Sequence, residues 1–374
     1  MFIYLFFFYR NKKSFKKVNF SIAGNVSRYL PKPMYNIKIK DGKDLYGRRH
    51  FKLRSDMKDP TYLKSKLASD IRNRLGIESI SSNYIQLYIN DEYMGLYIMT
   101  DVINLPWIEN EFNDKKSTTL YKCAYLNDFL PRFSYGCENK NEDVNDDTEW
   151  VDFLTTVENA KSSSDLEDIF DIEHFLYEMA IDYLDNAMDH IGRNFYMYKK
   201  PNGKWTYISY DFDQDFNLVL NDYNIAMEDY FKIYNFKGRM YDLMISEHSN
   251  RFNETIKEVI NKVFNPATLF PHIDEIKEFI RPYVELDKTP DSNGIFPGVI
   301  IHSPYHEYYT IQDWDAYSGF NNGTINPEVT RGFGLKYLIL MKYRYICNTY
   351  NLECDPVYMD ENYDYSDKLK EIEA

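Results

Sequence analysis

Three polar residues around a short aromatic segment are the best suited, by type and spacing, to carry chemistry. Asp189 and Asn194 precede the segment "FYMYKKPNGKWTYIS", and Asp211 follows it. The two alternating aromatic runs, separated by Pro-Asn-Gly, predict antiparallel strands joined by a tight turn. Because such strands begin and end at the same edge, the hairpin should return Asp211 to the vicinity of Asn194.

Carboxylates that converge in this way indicate a site for a divalent cation. Asp211 and Asp213 would repel each other, and their pKa values would rise, unless a cation balanced them. Mg²⁺ takes carboxylate oxygens together with the phosphate oxygens of a substrate. We therefore expect Asn194, Asp211 and Asp213 to hold a metal ion. The alternative, that Asp and Asn residues after a strand only cap a turn, stays open and is favoured for Asp215.

The order of these residues matches that found in protein kinases. In those enzymes an Asp accepts the proton of the acceptor hydroxyl, and an Asn and a later Asp hold Mg²⁺ on the nucleotide phosphates. By this match Asp189 is the proton acceptor. The sequence has no Gly-x-Gly-x-x-Gly loop and no Walker lysine, which argues against an ordinary protein kinase or a P-loop enzyme. A metal-dependent hydrolase or a calcium site at "DFDQD" is a weaker alternative, since the segment lacks the ligand pattern of an EF-hand.

Hydrophobic periodicity outlines the elements that must position these residues. Strands and one helix are predicted in the first third of the chain, and helices in most of the rest. A Pro-, Gly-, Asn- and Ser-rich stretch, 284–330, is expected to be a surface excursion. The predicted elements are hairpins over 35–54 and 84–99, a helix with Asp59 as N-cap and Pro60 at its first position that ends before Gly76, a helix after Asp147, a helix capped by Asp171, a mostly helical region 255–282 and a buried helix 334–350.

Charge is distributed unevenly along the chain. The net charge is −14, yet residues 1–75 hold 19 Lys and Arg against 5 Asp and Glu. A basic first part suits a phosphate or polyanion, and an acidic remainder suits metal ions or basic partners. Free nucleic acid is therefore disfavoured as a ligand of the whole molecule. Two solvated faces of opposite sign that attract each other are an equally good explanation.

The four cysteines and the N-terminus bear on the cellular compartment. Cys123 and Cys137, and likewise Cys347 and Cys354, lack the Cys-x-x-Cys spacing of a zinc knuckle. Each pair would be a disulfide in a secreted protein and two small buried side chains in the cytosol. The apolar run that opens the chain is too short to span a bilayer and is followed by its basic residues, which is typical of a degenerate N-terminus rather than a working signal.

Five longer motifs resemble the fungal form of the spore coat protein H (CotH) kinase family. They are "AGNVSRYLPKPMYNIKIK", "GRRHFKLRSDMKDPTYLKSKLASDIRNRLG", "SNYIQLYINDEYMGLYIMTD", "TLYKC" and "DNAMDHIGRNFYMYKKPNGKWTYISYDFD", and the resemblance covers residues 18–354. It implies an α+β, atypical protein-kinase-like fold of two lobes. The expected parts are a poorly matching segment 1–17, a basic β-rich N-lobe 18–125, an acidic, mainly helical C-lobe 126–356 and an acidic tail 357–374.

The same resemblance implies a function and a partner. It points to a secreted or cell-surface kinase that uses ATP and Mg²⁺ or Mn²⁺ to phosphorylate Ser or Thr of an extracellular or cell-wall protein. We expect a monomer without a membrane span and without a nucleic-acid ligand. The alternative on the same scaffold is a catalytically weak or inactive surface adhesin, or binding module.

Roles for individual residues follow from the positions of the family motifs. Asp189 matches the catalytic-loop aspartate, Asp211 the metal-binding aspartate and Asn194 the asparagine on the metal side. The resemblance implies that Trp205 stacks on adenine, with Tyr97 as a candidate for the opposite face. Phosphate contacts are expected from Lys38 first, and also from Arg28, Lys52 and Arg54.

The sequence also departs from the family pattern. Asp101, a candidate at the nucleotide site, stands where Glu is usual, and its side chain is shorter than one that reaches a lobe-bridging lysine. Lys64 stands where Arg is common, which loses a bidentate fork. "DFDQDFN" lacks the glycine often found after this motif, and the family's first strands have no clear counterpart. Of these departures, the poorly matching first residues favour the adhesin alternative.

Overall fold

The computed structural model of the chain describes residues 3–6, 13–24, 27–190, 192–217, 222–234, 236, 238–246, 249–300, 309–321, 332–361 and 363. These residues form an α+β fold in which two antiparallel sheets occupy mostly the first half and helices the second. No helix in this part of the chain combines the length and apolarity needed to cross a bilayer. Most of the predicted acidic tail lies outside the described residues.

Ten strands within the described ranges build the two sheets. The first sheet has the order β1-β5-β6-β4-β3-β2 and the second has the order β10-β9-β7-β8. The predicted hairpins are confirmed as β3–β4, β5–β6 and β9–β10, whereas β1, β2, β7 and β8 were not predicted. The strands are β1 (Ile3–Phe6), β2 (Val18–Ala23), β3 (Met34–Ile39), β4 (His50–Arg54), β5 (Ser82–Ile89), β6 (Glu92–Asp101), β7 (Leu120–Cys123), β8 (Cys137–Asn139), β9 (Phe195–Lys199) and β10 (Trp205–Ser209).

The helices lie mainly after the first sheet, as the periodicity predicted. The predicted region 255–282 is split between two helices at Asn265, which caps the second one through Thr268. The helices are α1 (Lys64–Leu75), α2 (Leu105–Phe112), α3 (Thr148–Asn159), α4 (Ile172–Leu184), α5 (Met227–Ile233), α6 (Arg239–Tyr241), α7 (Ser249–Lys262), α8 (Pro266–Asp287), α9 (Ile311–Ser318), α10 (Leu335–Thr349) and α11 (Pro356–Met359).

One sequence prediction is wrong, a second holds only in part, and one contact connects them. Helix α1 begins at Lys64 rather than at Pro60, because Tyr62 adopts a left-handed backbone conformation with φ of 56°. The predicted surface excursion contains helix α9, whose fully buried Trp314 donates its indole N–H to the carbonyl oxygen of Thr61 over 2.8 Å. A contact between segments so far apart in the chain is invisible to local pattern analysis.

The alternation of strand β4 decides which of its side chains face the second sheet. Phe51 and Leu53 point to one side and join the apolar cluster of the first sheet. Lys52 and Arg54 point to the opposite side, as successive residues of a strand must. The strand therefore presents two cations toward the β9–β10 hairpin while its apolar residues hold it in place.

Candidate functional site

The β9–β10 hairpin brings its two ends together at one edge of the second sheet. The strands pair in register from Phe195 opposite Ser209 to Lys199 opposite Trp205. Beyond the ladder, the N–H of Tyr210 donates to the carbonyl oxygen of Asn194 over 2.9 Å. Asp211 is the next residue, so the hairpin places it beside Asn194.

Asp189 and Asn194 form one hydrogen-bonded unit. The amide Nδ2 of Asn194 donates to the backbone oxygen of Asp189 over 3.1 Å and to its Oδ2 over 2.9 Å. Asn194 and Asp211 both have left-handed backbones, with φ of 54° and 73°. Such conformations are uncommon for residues other than glycine and often occur at functional sites. The exposed Arg193 has Nη1 3.7 Å from Oδ1 of Asp189.

Opposite this unit, the guanidinium of Arg54 contacts three carboxylates. Its Nε lies 3.2 Å from Oδ1 of Asp56, its Nη1 donates to Oδ1 of Asp211, and its Nη2 lies 2.6 Å from Oδ2 of Asp213. Lys52 adds a second cation, with Nζ 3.6 Å from Oδ1 of Asp211. The side chains of Asp211 and Asp213 keep 26% and 27% of their surface exposed, whereas that of Arg54 keeps 4%. The acids are thus reachable from solvent although their cation is buried.

The carboxylates of this site differ in basicity. Burial alone would raise the pKa of Asp211, but Arg54 and Lys52 hold it below its ordinary value. Burial raises the pKa of Asp189, and the negative charges of Asp211 and Asp213 add to this rise, although Arg193 opposes it. Asp211 is therefore ionised, as a metal ligand must be, and Asp189 is the more basic group, as suits a proton acceptor.

The oxygen atoms at this site suit Mg²⁺ or Mn²⁺ only together with the phosphate oxygens of a bound substrate. Within the described ranges, no group of three or more His, Cys, Asp or Glu is arranged to hold a metal ion. Carboxylates such as those of Asp211 and Asp213, and an amide oxygen such as that of Asn194, are hard oxygen donors of the kind that Mg²⁺ combines with substrate phosphates. Arg54 contacts both carboxylates in this structure, so they would be available to Mg²⁺ or Mn²⁺ only if Arg54 gave up those contacts.

The two aromatic residues expected at the nucleobase are buried in cores. Trp205 keeps 2% of its surface exposed, and its ring lies 5.5 Å from Trp150 and 5.3 Å from Phe153. Tyr97 is fully buried in the first sheet, with Nζ of Lys32 4.8 Å from its ring centre. Neither ring is accessible to a nucleotide in this structure, which runs against the stacking roles implied by the resemblance.

Three further residues with expected roles make their described contacts away from the carboxylates. Lys38 is exposed on β3, opposite His50, and shares a sheet face with Lys52. Arg28 is exposed, and its Nε donates to the carbonyl oxygen of Gly24 over 2.7 Å. Asp101 pairs with Nε of Arg48 at 3.2 Å rather than with a bridging lysine. Of the cations expected at the phosphates, the structure brings Lys52 and Arg54 to the acids.

A second, fully buried ion cluster lies directly behind the site and was missed by sequence reasoning. Arg72 of α1 contacts Glu178 (2.9 Å) and Asp182 (3.2 Å) of α4, and its Nη1 lies 3.8 Å from Asp215. His190 lies between the two aspartates, with Nδ1 3.0 Å from Asp182 and Nε2 3.2 Å from Asp215. The available signal was a pair of acids, four residues apart, inside the otherwise apolar stripe of α4.

A small aromatic surface beside Asp211 was also missed. The rings of Tyr196 and Tyr210 lie 5.1 Å apart, and Nζ of Lys122 lies 5.2 Å from the centre of the Tyr210 ring. Lys122 and Tyr196 are paired across β7 and β9. Strand alternation places these side chains on the sheet face opposite to that of Trp205 and Tyr207. Their proximity could have been deduced from the sequence once the strand pairing was known.

With this geometry in place, comparison with known proteins settles the family. The model of the family described as CotH kinase protein matches residues 20–314. The chain belongs to the CotH kinase family. This match agrees with the resemblance seen in the motifs.

Several members of the CotH family are similar to the chain. Invasin CotH3 of Rhizopus delemar is 25% identical over 369 residues, covering 91% of this chain and 60% of that protein. Invasin CotH2 of the same fungus is 27% identical, covering 74% of this chain and 52% of that protein. Inner spore coat protein H of Bacillus subtilis is 23% identical, covering 73% of this chain and 79% of that protein. The chain thus spans about half to three fifths of these two fungal relatives.

Proposed function

We propose that this member of the CotH family is an atypical protein kinase that transfers the γ-phosphate of ATP to Ser or Thr of a secreted or surface protein. The observation that carries the proposal is the arrangement of Asp189, Asn194 and Asp211 around the end of one hairpin, facing Lys52 and Arg54. Phosphoryl transfer requires mainly positioning and neutralisation of charge, which such a set provides.

The proposal includes a kinase-like, two-lobed architecture. The first sheet, with α1, would be the N-lobe, and the second sheet, with most helices, would be the C-lobe. Strand β7 pairs with β9 and so belongs to the second sheet. We therefore place the boundary between the lobes between β6 and β7 rather than at residue 125. The acceptor would bind where Asp189 is exposed to solvent.

Each residue of the site has a role in this proposal. Asp189 accepts the proton of the acceptor hydroxyl, for which its raised pKa is suitable. Asn194, Asp211 and Asp213 would hold Mg²⁺ or Mn²⁺, which when bound neutralises charge on the phosphates. Arg54 releases the two acids and turns its fork of donors to phosphate oxygens, a geometry that guanidinium groups favour.

Both cysteine pairs support a secreted or surface location. Cys123 is bonded to Cys137, and Cys347 to Cys354. Disulfides persist in oxidising compartments and are rare in the cytosol. The names of the relatives, invasins and a spore coat protein, point in the same direction. An extracellular or cell-wall protein is therefore the proposed acceptor.

A transfer assay tests this function. Wild type is incubated with γ-labelled ATP, Mn²⁺ and a Ser-rich acceptor protein, alongside Asp211→Ala and the matched control Asp229→Asn, which changes an exposed acid of α5. We expect Asp211→Ala to lose about 100-fold or more of the signal, as removal of a group that stabilises developing charge does, and the control to lose none. Asp189→Asn should retain nucleotide binding and lose turnover. Equal signals from wild type and Asp211→Ala would end the enzymatic claim.

A surface-binding module is the second candidate, and one observation favours it. Asp211 and Asp213 already have a cationic partner in Arg54, and Lys52 adds a second cation to Asp211, so both carboxylates are paired without a nucleotide. Two fungal relatives carry the name invasin. Thermal unfolding separates the candidates: MgATP at 100 times its Kd stabilises a true nucleotide site by about 2.7 kcal/mol, whereas an adhesin without such a site does not respond.

A further inference from the structure

The disulfide Cys123–Cys137 lies beside the start of the hairpin that carries the site. Cys123 ends β7 and is paired across the sheet with Phe195, the residue after Asn194. Cys137 begins β8 and pairs with Cys123 from the other side. Cys123 is fully buried. The bond therefore closes residues 124–136 into a loop, here called the cystine loop, at the edge of the site.

The cystine loop touches the segment between Asp189 and Asn194 directly. The N–H of Leu126 donates to the carbonyl oxygen of Gly192 over 2.9 Å. Gly192 has φ of +75°, and a Cβ atom there would lie 3.1 Å from the carbonyl oxygen of Leu126. A side chain at this position would combine a backbone conformation that favours glycine with an unusually close approach to Leu126. The segment between Asp189 and Asn194 is thus in direct backbone contact with the cystine loop at Gly192.

The loop itself is fastened at two further points. Phe129 is buried and stacks on Phe195 with ring centres 5.9 Å apart. Asp128 accepts a hydrogen bond from the backbone N–H of Arg239 over 2.8 Å, which anchors the loop on α6. At the C-terminal end of the loop the backbone packs closely on its first residues, since a Cβ atom on Gly136 would lie 2.1 Å from the carbonyl oxygen of Tyr125. The loop is therefore a rigid support when its ends are joined.

The second disulfide provides an internal comparison. Cys347–Cys354 joins the end of α10 to the segment before α11, where Leu352 donates its N–H to the carbonyl oxygen of Cys347. The two bonds enclose short loops, with sequence separations of 7 and 14 residues. In the chain-entropy description, stabilisation grows only with the logarithm of loop length. The two bonds should thus contribute similarly to stability but lie in different surroundings.

We propose that the Cys123–Cys137 disulfide is a positioning element for phosphoryl transfer. It holds Leu126 against Gly192 and thereby keeps Asp189 and Asn194 in the arrangement that the reaction needs. The cystine contacts neither substrate nor reacting atoms, so it acts through the backbone of the cystine loop. This inference rests on the proposed kinase function.

The test compares the double variant Cys123→Ser/Cys137→Ser with the control Cys347→Ser/Cys354→Ser. Loss of the first bond should lower kcat by about 10- to 100-fold, since small misplacements of reacting groups have effects of this size, and leave the KM for ATP within about 3-fold. The control should lower Tm by a comparable amount and leave kcat unchanged. Equal kcat values in the two double variants would overturn the proposal.

A second measurement does not depend on activity. Hydrogen–deuterium exchange of the peptide that spans 189–194 should accelerate in Cys123→Ser/Cys137→Ser and stay as in wild type in the control. Unchanged exchange in both would contradict the positioning role. If wild type transfers no phosphate, the proposed function fails, while the exchange result still decides whether the disulfide supports this segment.

A single substitution covers the case in which the first double variant does not fold. Gly192→Ala leaves both disulfides intact but places a Cβ against the backbone of Leu126 in a strained conformation. We expect the same loss of kcat with little change in KM. Wild-type kcat in Gly192→Ala would overturn the claim that this contact positions the site.

Discussion

Arg54 and Arg72 each gather three carboxylates, yet the two clusters differ in what they can do. The acids are Asp56, Asp211 and Asp213 around Arg54, and Glu178, Asp182 and Asp215 around Arg72. Two of the three acids around Arg54, the open cluster, are about one quarter exposed, whereas every member around Arg72, the closed cluster, is fully buried. An exposed acid can exchange its cation for another, but a buried one cannot without a large desolvation cost.

The clusters also interlock along the chain. Asp211 and Asp213 face the open cluster, while Asp215, two residues later, enters the closed one. Asp189 faces the site, and its neighbour His190 is held between two buried aspartates. Each of the two segments is thus held by a buried residue close in sequence to its solvent-facing acids, His190 after Asp189 and Asp215 after Asp213. The closed cluster fixes positions, and the open cluster is left free to exchange partners.

The largest expected effect distinguishes the two arginines by stability. Arg72→Met should lower the free energy of unfolding by about 3–5 kcal/mol, because three buried carboxylates lose their cation. Arg54→Met should lower it by about 1–2 kcal/mol. Two of the three acids can turn to water, so only the third, buried acid loses its partner, and the cost is that of a single unsatisfied buried group. Urea unfolding at pH 7 measures both. Equal losses of unfolding free energy would contradict the difference drawn between the open and the closed cluster.

The pH dependence of stability should report the closed cluster. Burial alone would lower the pKa of His190, but Asp215 and Asp182 raise it to about 9 in the folded chain. Between its unfolded value near 6.5 and 9, the folded state holds more protons, so stability falls as pH rises through this window, by on the order of 3 kcal/mol. His190→Gln should remove this share of the slope.

His174 provides the control for that measurement. Its pKa is also raised to about 9, with burial opposed by Glu178 and Glu78. His174→Gln should therefore remove a separate share of the same pH dependence and leave that of His190 in place. A slope that survives unchanged in His190→Gln would contradict the charged state assigned to that imidazole.

The smallest effect concerns neutralisation of a single acid. Asp182→Asn should destabilise by about 1–3 kcal/mol, because this buried carboxylate accepts from both Arg72 and His190. Asp211→Asn should change the free energy of unfolding by less than about 1 kcal/mol, as is usual for partly exposed ion pairs. Thermal or urea unfolding in metal-free buffer checks the pair, and a larger loss in Asp211→Asn would reverse the roles given to the clusters.

Local sequence signals predicted the hairpin but only part of the site. The turn and alternation around β9–β10 were sufficient to bring Asp189, Asn194 and Asp211 together, since strand pairing at a tight turn is a local property. The cation that pairs with Asp211 could not be predicted from local sequence. Lys38 was expected first, and Arg54 makes the contact, because the contact depends on how the two sheets pack together and joins residues 157 positions apart in the chain.

Long-range packing also explains the other failures. Trp205 was assigned to a nucleobase from its place in a motif, but α3 covers its ring through Trp150 and Phe153. The late start of α1 follows from the left-handed Tyr62 beside the buried contact of Trp314. The closed cluster joins α1 to α4 across more than 100 residues. Periodicity identifies which face of an element is buried, and not which distant element covers it.

Calorimetric titration of a non-hydrolysable ATP analogue, with and without Mn²⁺, tests most directly whether the open cluster exchanges Arg54 for a nucleotide-bound ion. In wild type, Mn²⁺ should tighten binding by about tenfold or more, which corresponds to 1.4 kcal/mol or more. In Asp211→Asn, the analogue should bind equally well with and without Mn²⁺. A wild type indifferent to Mn²⁺, or an Asp211→Asn variant that keeps the full gain, would contradict the account.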